Sequence, residues 1–397
     1  MQERIPRTAS VYLDNNATAP MAPEVLRAIL AAMEQNLGNP SSAHQPGRRA
    51  ADLLQEARTT VAVLLGAADA TEILFTSGGT EANNTALHSA LSTQQNRNEI
   101  VVSAIEHASI LSMCRALEKE GRAIVRRIPV DSEGRIDLQA YRAALNQRTA
   151  LATVQWANNE TGVLQPIGEL SRLAHAAGAL FHCDAVQAAG RVSLDLQGTA
   201  IDMLSVSAHK LHGPHGVGAL YVRTGTPFAA LLHGGRQERG RRAGSENVAA
   251  IVGFSEAARS AQQSISSSNA HVARMRDQLE RQIIERAPDA RVLSSGTTRL
   301  DNTSCIAFAE TEGDELITLL DRMGIAASSG AACAAGSMEP SHVLRAMKVP
   351  FSHIRGTVRF SFSRMNTMLD VERAVAATCS ALEQLHRDTT AGEVLHG

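Results

Sequence analysis

Ser207-Ala208-His209-Lys210-Leu211-His212-Gly213-Pro214-His215-Gly216 sets a lysine inside a small, polar, glycine-rich turn. A lysine alone in such a turn is ordinarily a solvated surface residue. Upstream, however, Phe181-His182-Cys183-Asp184-Ala185-Val186-Gln187 ends an apolar, strand-like run on an aspartate. Pyridoxal phosphate chemistry needs that pair, a lysine on the aldehyde and a carboxylate on the pyridinium nitrogen.

Working outward, short apolar runs at residues 73–76, 99–103, 150–154, 179–182 and 219–222 read as buried strands. Helical patterns such as 48–65 and 166–177 lie between them, which predicts an α/β unit with a mostly parallel sheet. Residues 255–275, rich in Ala, Ser and Gln, read as a long helix and the best place for a domain boundary. Beyond it, 291–293, 305–308 and 358–361 alternate like strands of a smaller α+β unit. The division expected is 17–262 for the large unit, with 1–16 and 263–397 forming the small one.

With 397 residues, 44 % of them apolar and 20 % charged, the chain has the make-up of an ordinary globular protein. A net charge of −2 and only 3 % aromatic residues give no reason to expect nucleic acid or an anionic membrane as partner. No run approaches membrane-spanning length and residues 1–11 carry no apolar leader core. Five cysteines without a CxxC pair argue against a disulfide framework and for a reducing, cytoplasmic compartment.

Thr76-Ser77-Gly78-Gly79-Thr80-Glu81-Ala82-Asn83-Asn84 follows a strand and opens a helix, where free N–H groups favour a phosphate. Read alone it is equally a loop with Thr80 as helix cap. His107 in Ile105-Glu106-His107-Ala108-Ser109 is placed to stack on a pyridine ring and move protons. Asn158-Asn159-Glu160-Thr161-Gly162 offers amides to a cofactor or a carboxylate. These loops and Asp184 all follow strands, at the edge where open α/β sheets bind ligands. Cys333, in Ser328-Ser329-Gly330-Ala331-Ala332-Cys333-Ala334-Ala335-Gly336-Ser337, is ringed by small residues that leave a thiol unshielded in a loop free to swing. Cys114, Cys183, Cys305 and Cys379 sit in apolar or helical patterns and read as buried. His209, His212 and His215 share no helix face and have no acidic companion, so no metal site is expected. Arg359 is suited to fork onto a substrate carboxylate.

In order and number these motifs resemble the pyridoxal-phosphate-dependent cysteine desulfurases of the NifS-like class, within the class V aminotransferase superfamily. The resemblance includes Tyr12-Leu13-Asp14-Asn15-Asn16-Ala17-Thr18, Gly38-Asn39-Pro40-Ser41-Ser42-Ala43-His44 and the 241–247 and 328–345 segments, and covers nearly the whole chain. It implies the type I fold of these transferases, with Lys210 as the Schiff-base lysine and Asp184 on the ring nitrogen. It also implies Gln187 and Asn159 near the phenolic oxygen, and His107 stacked on the ring. Gly79, Thr80, Ser207 and His209 would hold the phosphate, with Ser245 supplied by the second subunit of a homodimer. Arg359 and Asn159, with Asn15 or Asn16 nearby, would take the carboxylate of L-cysteine.

Cys333 would accept the sulfur as a persulfide and pass it to an iron–sulfur scaffold, where it meets a nascent cluster. Where the family often has Gly, this chain has Ala208, whose backbone N–H is expected to stay available in the cofactor turn. The 241–247 and 337–342 runs look closer to the nitrogenase-associated branch than to the housekeeping one. The competing expectations are a selenocysteine lyase or aminotransferase of the same fold, and a sulfur-carrier subunit without catalysis.

Overall fold

The computed structural model describes residues 10–329 and 340–396. Strand β1 (Val11–Tyr12) opens the described chain. A seven-stranded sheet follows, built from β2 (Ile73–Thr76), β3 (Glu99–Ser103), β4 (Ile124–Ile128), β5 (Thr149–Thr153), β6 (Leu180–Asp184), β7 (Met203–Ser207) and β8 (Gly218–Val222). Its order is β2-β8-β7-β6-β5-β3-β4, and every pairing from β7 to β4 is parallel, with β8 alone reversed between β7 and β2. The class expected from the alternation of runs is therefore the class found. Strands β2, β3, β5, β6, β7 and β8 are buried along their whole length, as parallel strands covered on both faces must be.

The helices α1 (Pro23–Glu34), α2 (Gln45–Leu65), α3 (Gly79–Thr93), α4 (Ala108–Lys119), α5 (Leu138–Ala144) and α6 (Ile167–Ala176) clothe this sheet in two layers. Leu74, Ile100, Leu151 and Met203 of the sheet pack with Leu87 of α3 and Leu117 of α4 on one face. Phe75, Val101, Phe181, Leu204 and Tyr221 pack with α2 on the other.

The next helix, α7 (Val248–Arg286), runs 39 residues without a break through position 262. Ile251, Phe254 and Ala258 at its start belong to the core of the seven-stranded sheet, while Met275, Leu279 and Ile283 belong to a second core. That core is built on β9 (Arg291–Val292), β10 (Thr303–Ala307), β12 (Ser328–Ser329) and β13 (Thr357–Ser361), an antiparallel sheet ordered β12-β13-β10-β9. Strand β11 (Ile325–Ala326) pairs in parallel with β1, which ties the start of the described chain to this second unit. Helices α8 (Gly313–Arg322), α9 (His342–Ala346), α10 (Phe351–Arg355) and α11 (Met368–His396) complete it. Among the described residues no helix is long and apolar enough to cross a membrane.

Candidate active site

Because β2, β3, β5, β6 and β7 point the same way, their carboxyl ends deliver Thr76, Ser103, Thr153, Asp184 and Ser207 to one sheet edge. The loops that follow enclose a cavity of about 450 Å³. Asn16, Gly79, Thr80, His107, Asn159, Asp184, Gln187, Ser207, His209, Lys210 and Arg359 all line it.

Asp184 is held at both oxygens. Oδ2 accepts from Asn83 Nδ2 at 2.7 Å and Oδ1 from the Val186 N–H at 3.0 Å. Asn83 stands one turn into α3, and Ser109 Oγ shares its Nδ2 at 2.9 Å. Lys210 Nζ donates to the carbonyls of Asn16 and Ala17, both at 2.5 Å. His107 is the N-cap of α4: Nδ1 accepts from the Ser109 N–H at 3.1 Å. The proton of the neutral ring therefore sits on Nε2. Burial lowers its pKa, Asp184 opposes that shift and Lys210 adds to it.

The start of α3 has glycine as its N-cap, so no side chain covers the first-turn N–H groups, and Gly79 and Thr80 line the cavity there. A Cβ on Gly79 would stand 2.8 Å from Val186 Cγ2. An uncapped helix start in a glycine cradle, beside a fixed carboxylate and a lysine, fits a phosphate-bearing pyridinium aldehyde.

Arg359 closes the other end. Only 2 % exposed, it donates from Nη1 to the Asn159 carbonyl at 3.0 Å and from Nη2 to Asp14 Oδ1 at 2.8 Å. Its Nε is buried without a partner. Asn16 Nδ2 bonds Thr303 Oγ1 at 2.9 Å and the Asn159 carbonyl at 3.1 Å, joining both sheets across the cavity.

The matching family model is Aminotransferase class-V, over residues 11–374. The chain belongs to that family. It is 54 % identical to a cysteine desulfurase of Cereibacter sphaeroides over 375 residues, 94 % of this chain and 96 % of the relative. To the cysteine desulfurase NifS of Azotobacter vinelandii it is 48 % identical over 377 residues, 95 % and 94 % of the two chains. A solved NifS-like protein superposes with a TM-score of 0.89 at 34 % identity, covering 95 % of this chain and all of the other. Class-V enzymes of this kind depend on pyridoxal phosphate, and the cavity accommodates that cofactor.

Several expected residues stand elsewhere. The Ala208 N–H is not available, because β7 continues far enough for it to bond the Val217 carbonyl at 3.2 Å. Asn15 turns away to a small neighbouring cavity, its Nδ2 on the Ser361 carbonyl at 2.8 Å. Ser245 lines a separate pocket with Ser77, Gly216 and Arg242, not the cavity of its own chain. Cys333 lies outside the described residues, though Ser328, five positions earlier, lines the cavity. Cys114, Cys183 and Cys305 are buried, and burial raises each thiol pKa, whereas Cys379 is half-buried.

Asp14, Asn83, Ser109 and Gln155 also line the cavity and were not assigned roles from sequence. Asp14, Asn83 and Ser109 fall inside motifs quoted above, whereas Gln155 carries no signal beyond following a strand. Just beneath Gln155, Glu106 is fully buried; Oε1 accepts the Gln155 N–H at 2.8 Å and Oε2 has no partner. Burial, with Asp184 adding, pushes that carboxyl well above the usual range.

Proposed function

We propose that this enzyme is a cysteine desulfurase, releasing L-alanine from L-cysteine and keeping the sulfur as a persulfide on Cys333. The observation that carries the reading is that Lys210, Asp184 and the incompletely paired Arg359 share one cavity. Bound pyridoxal phosphate supplies the electron sink that labilises bonds around the substrate's α-carbon. Asp184 keeps the ring nitrogen protonated, and Asn83 holds Asp184 in place. Arg359 binds the substrate carboxylate through N–H groups that Asp14 and the Asn159 carbonyl leave unused. Lys210 takes the α-proton as general base, directed by the carbonyls of Asn16 and Ala17. His107, neutral and donating from Nε2, packs on the ring. Gly79, Thr80, Ser207 and His209 hold the phosphate, joined by Ser245 from the second subunit of a homodimer.

Sulfur transfer needs no external oxidant. The Cys333 sulfur attacks the substrate sulfur, an S–S bond forms, and the C–S electron pair stays with the β-carbon, which is protonated on the way to alanine. Covalent geometry allows this. Cys333 follows Ser329 by four residues, a span of at most about 14 Å, and Ser328 lines the cavity. The division into 17–262 against 1–16 with 263–397 gives the large unit the cofactor and the small unit Arg359 and Cys333. The resemblance of the 241–247 and 337–342 runs supports delivery to an iron–sulfur scaffold serving nitrogenase, in the cytoplasm.

The test is alanine and sulfide release from L-cysteine with a thiol reductant. Wild type should release both. Cys333→Ala should retain cofactor and lose sulfide release, and Lys210→Ala should lose all turnover. Equal release by Cys333→Ala would make that thiol a bystander and favour a lyase. No release by wild type would return the chain to amino-group transfer or to a carrier role.

A further inference from the structure

We infer that Arg191 is a positioning residue that fixes which end of the Gln187 amide faces the cofactor cavity. The inference rests on the reading of Gln187 as partner of the cofactor's phenolic oxygen. A glutamine amide has one accepting end and one donating end of nearly equal size. Only the donating end stabilises an ionised phenolic oxygen, so the orientation decides whether Gln187 helps the chemistry or opposes it.

Arg191 lies four residues on from Gln187, in the turn that follows β6. Its Nη1 donates to Gln187 Oε1 and, at 3.2 Å, to the Gln187 backbone carbonyl. Nη2 donates to the Asn15 carbonyl at 3.3 Å. A guanidinium has donors only, so the end of Gln187 that meets it must be the oxygen. At the other end, Gln187 Nε2 donates to the Asn16 carbonyl at 2.9 Å, and a carbonyl only accepts. Both neighbours impose the same orientation, and the second Nε2 hydrogen is left for the cavity that Gln187 lines.

The arrangement is costly for stability alone. All three acceptors of Arg191 are neutral oxygens, and burial followed by repulsion from Arg359 lowers its pKa to about 10. A half-buried cation whose side-chain acceptors are all neutral is unusual in a purely structural role. Its lock also reaches the lysine, because the Asn16 carbonyl that takes Gln187 also takes Lys210 Nζ at 2.5 Å.

The experiment follows the visible absorption of the cofactor in the holoenzyme against pH, which reads the cofactor's own proton equilibrium without turnover. Arg191→Met leaves the amide's orientation to the Asn16 carbonyl alone, so it turns more often, the ring oxygen holds its proton more tightly, and the band's midpoint should rise by up to about one pH unit. Arg191→Lys, again a donor that cannot accept, should return it to within about 0.3 unit of wild type. Gln187→Ala should produce the same rise, and adding Arg191→Met to it should add less than about 0.3 unit, since the arginine acts through the glutamine. A Gln187→Ala midpoint equal to wild type would overturn the reading of Gln187 and the inference with it. A shift in Gln187→Ala but none in Arg191→Met would overturn the inference alone. An equal Arg191→Met shift in both backgrounds would also overturn it, showing the charge acting directly. Should Arg191→Met not fold, Arg191→Gln, whose amide both donates and accepts, makes the same comparison.

Discussion

Replacing Arg359 by lysine tests the substrate end of the site most directly. Arg359 has five N–H donors, of which Asp14 Oδ1 takes one at 2.8 Å and the Asn159 carbonyl another at 3.0 Å. Nε is buried without a partner, which a residue serving only the fold would have no reason to leave. An ammonium at this position keeps the charge and can still reach Asp14, but it cannot present a planar fork to a carboxylate. The loss is one charge-assisted hydrogen bond, about 1.5–3 kcal/mol, or roughly 10- to 150-fold in kcat/KM for L-cysteine. The fall should appear mainly as a higher KM, because the carboxylate is bound alike before and during bond breaking. Cysteamine, which lacks the carboxylate, supplies the control in the same alanine-or-amine release assay. Wild type should strongly prefer L-cysteine, and Arg359→Lys should lose most of that preference while leaving cysteamine turnover within about twofold. Cofactor absorption in the purified variant checks that the cavity is intact. An unchanged KM for L-cysteine, or an equal loss on both substrates, would refute the carboxylate role.

Two further expectations concern the frame. Glu238 accepts from Arg58 at 2.6 and 2.7 Å and from the Phe75 N–H at 3.1 Å, while holding a left-handed backbone at φ 46° beside Arg239 at φ 59°. Glu238→Ala strands a buried arginine and should cost about 3–5 kcal/mol, read as a lower urea midpoint; a cost below about 1 kcal/mol would show the pair to be dispensable. Glu160, buried and bonded by Ser341 Oγ at 2.5 Å, has its pKa raised by burial to about 7 from 4.5. The folded chain therefore keeps a proton that the unfolded chain releases above pH 4.5, so this group's contribution is full below pH 4.5 and is lost as pH rises through about 7. Relative to Glu160→Gln, wild type should lose about 3 kcal/mol across that window, and parallel stability curves for the two would refute it.

The buried strands were legible because a strand covered on both faces reads as an unbroken apolar run, as Glu99–Ser103 and Leu180–Asp184 do. Strand Met203–Ser207 escaped that reading because Ser205 and Ser207 interrupt it. Those polar positions have a tertiary reason: Ser205 Oγ bonds His182 Nε2 at 2.9 Å, and Ser207 lines the cavity. Strand Ile124–Ile128 escaped because it is an edge with Arg126 and Arg127 turned outward. Lys210 and Asp184 were legible through the local types that surround them. The partners that make them work were not, since Arg359 meets Asp14 across 345 positions and Arg191 meets Asn15 across 176. Pattern carries periodicity, whereas these pairs exist only once both sheets have formed. The engagement of the Ala208 N–H is illegible for the same reason, its partner Val217 being fixed by the β7–β8 register.

On the proposed reading the two sheets divide the chemistry between them, and neither suffices alone. The seven-stranded sheet supplies Asp184, Ser207 and Lys210 from the ends of β6 and β7, which fixes the cofactor end. The antiparallel sheet supplies Arg359 from β13, together with Ser328 on the neighbouring β12, which on that reading is the substrate end. Between them runs the Asp14–Ala17 stretch: Asp14 bridges to Ser361 of β13 and pairs with Arg359, while the carbonyls of Asn16 and Ala17 hold Lys210. The same short segment is thus hydrogen-bonded at one end to Arg359, proposed to bind the carboxylate, and at the other to Lys210, proposed to move the proton. A shift of the small sheet would be passed to Lys210 through Asn16, whose side chain is held by Thr303 of that sheet and by Asn302 just before it, and whose carbonyl is shared with Gln187. If Arg359 and Lys210 have the proposed roles, one strand of backbone sets substrate position and base position together, so a change that loosens Asn16, such as Asn16→Ala, should lower kcat as well as raise KM, unlike the mainly KM effect expected at Arg359.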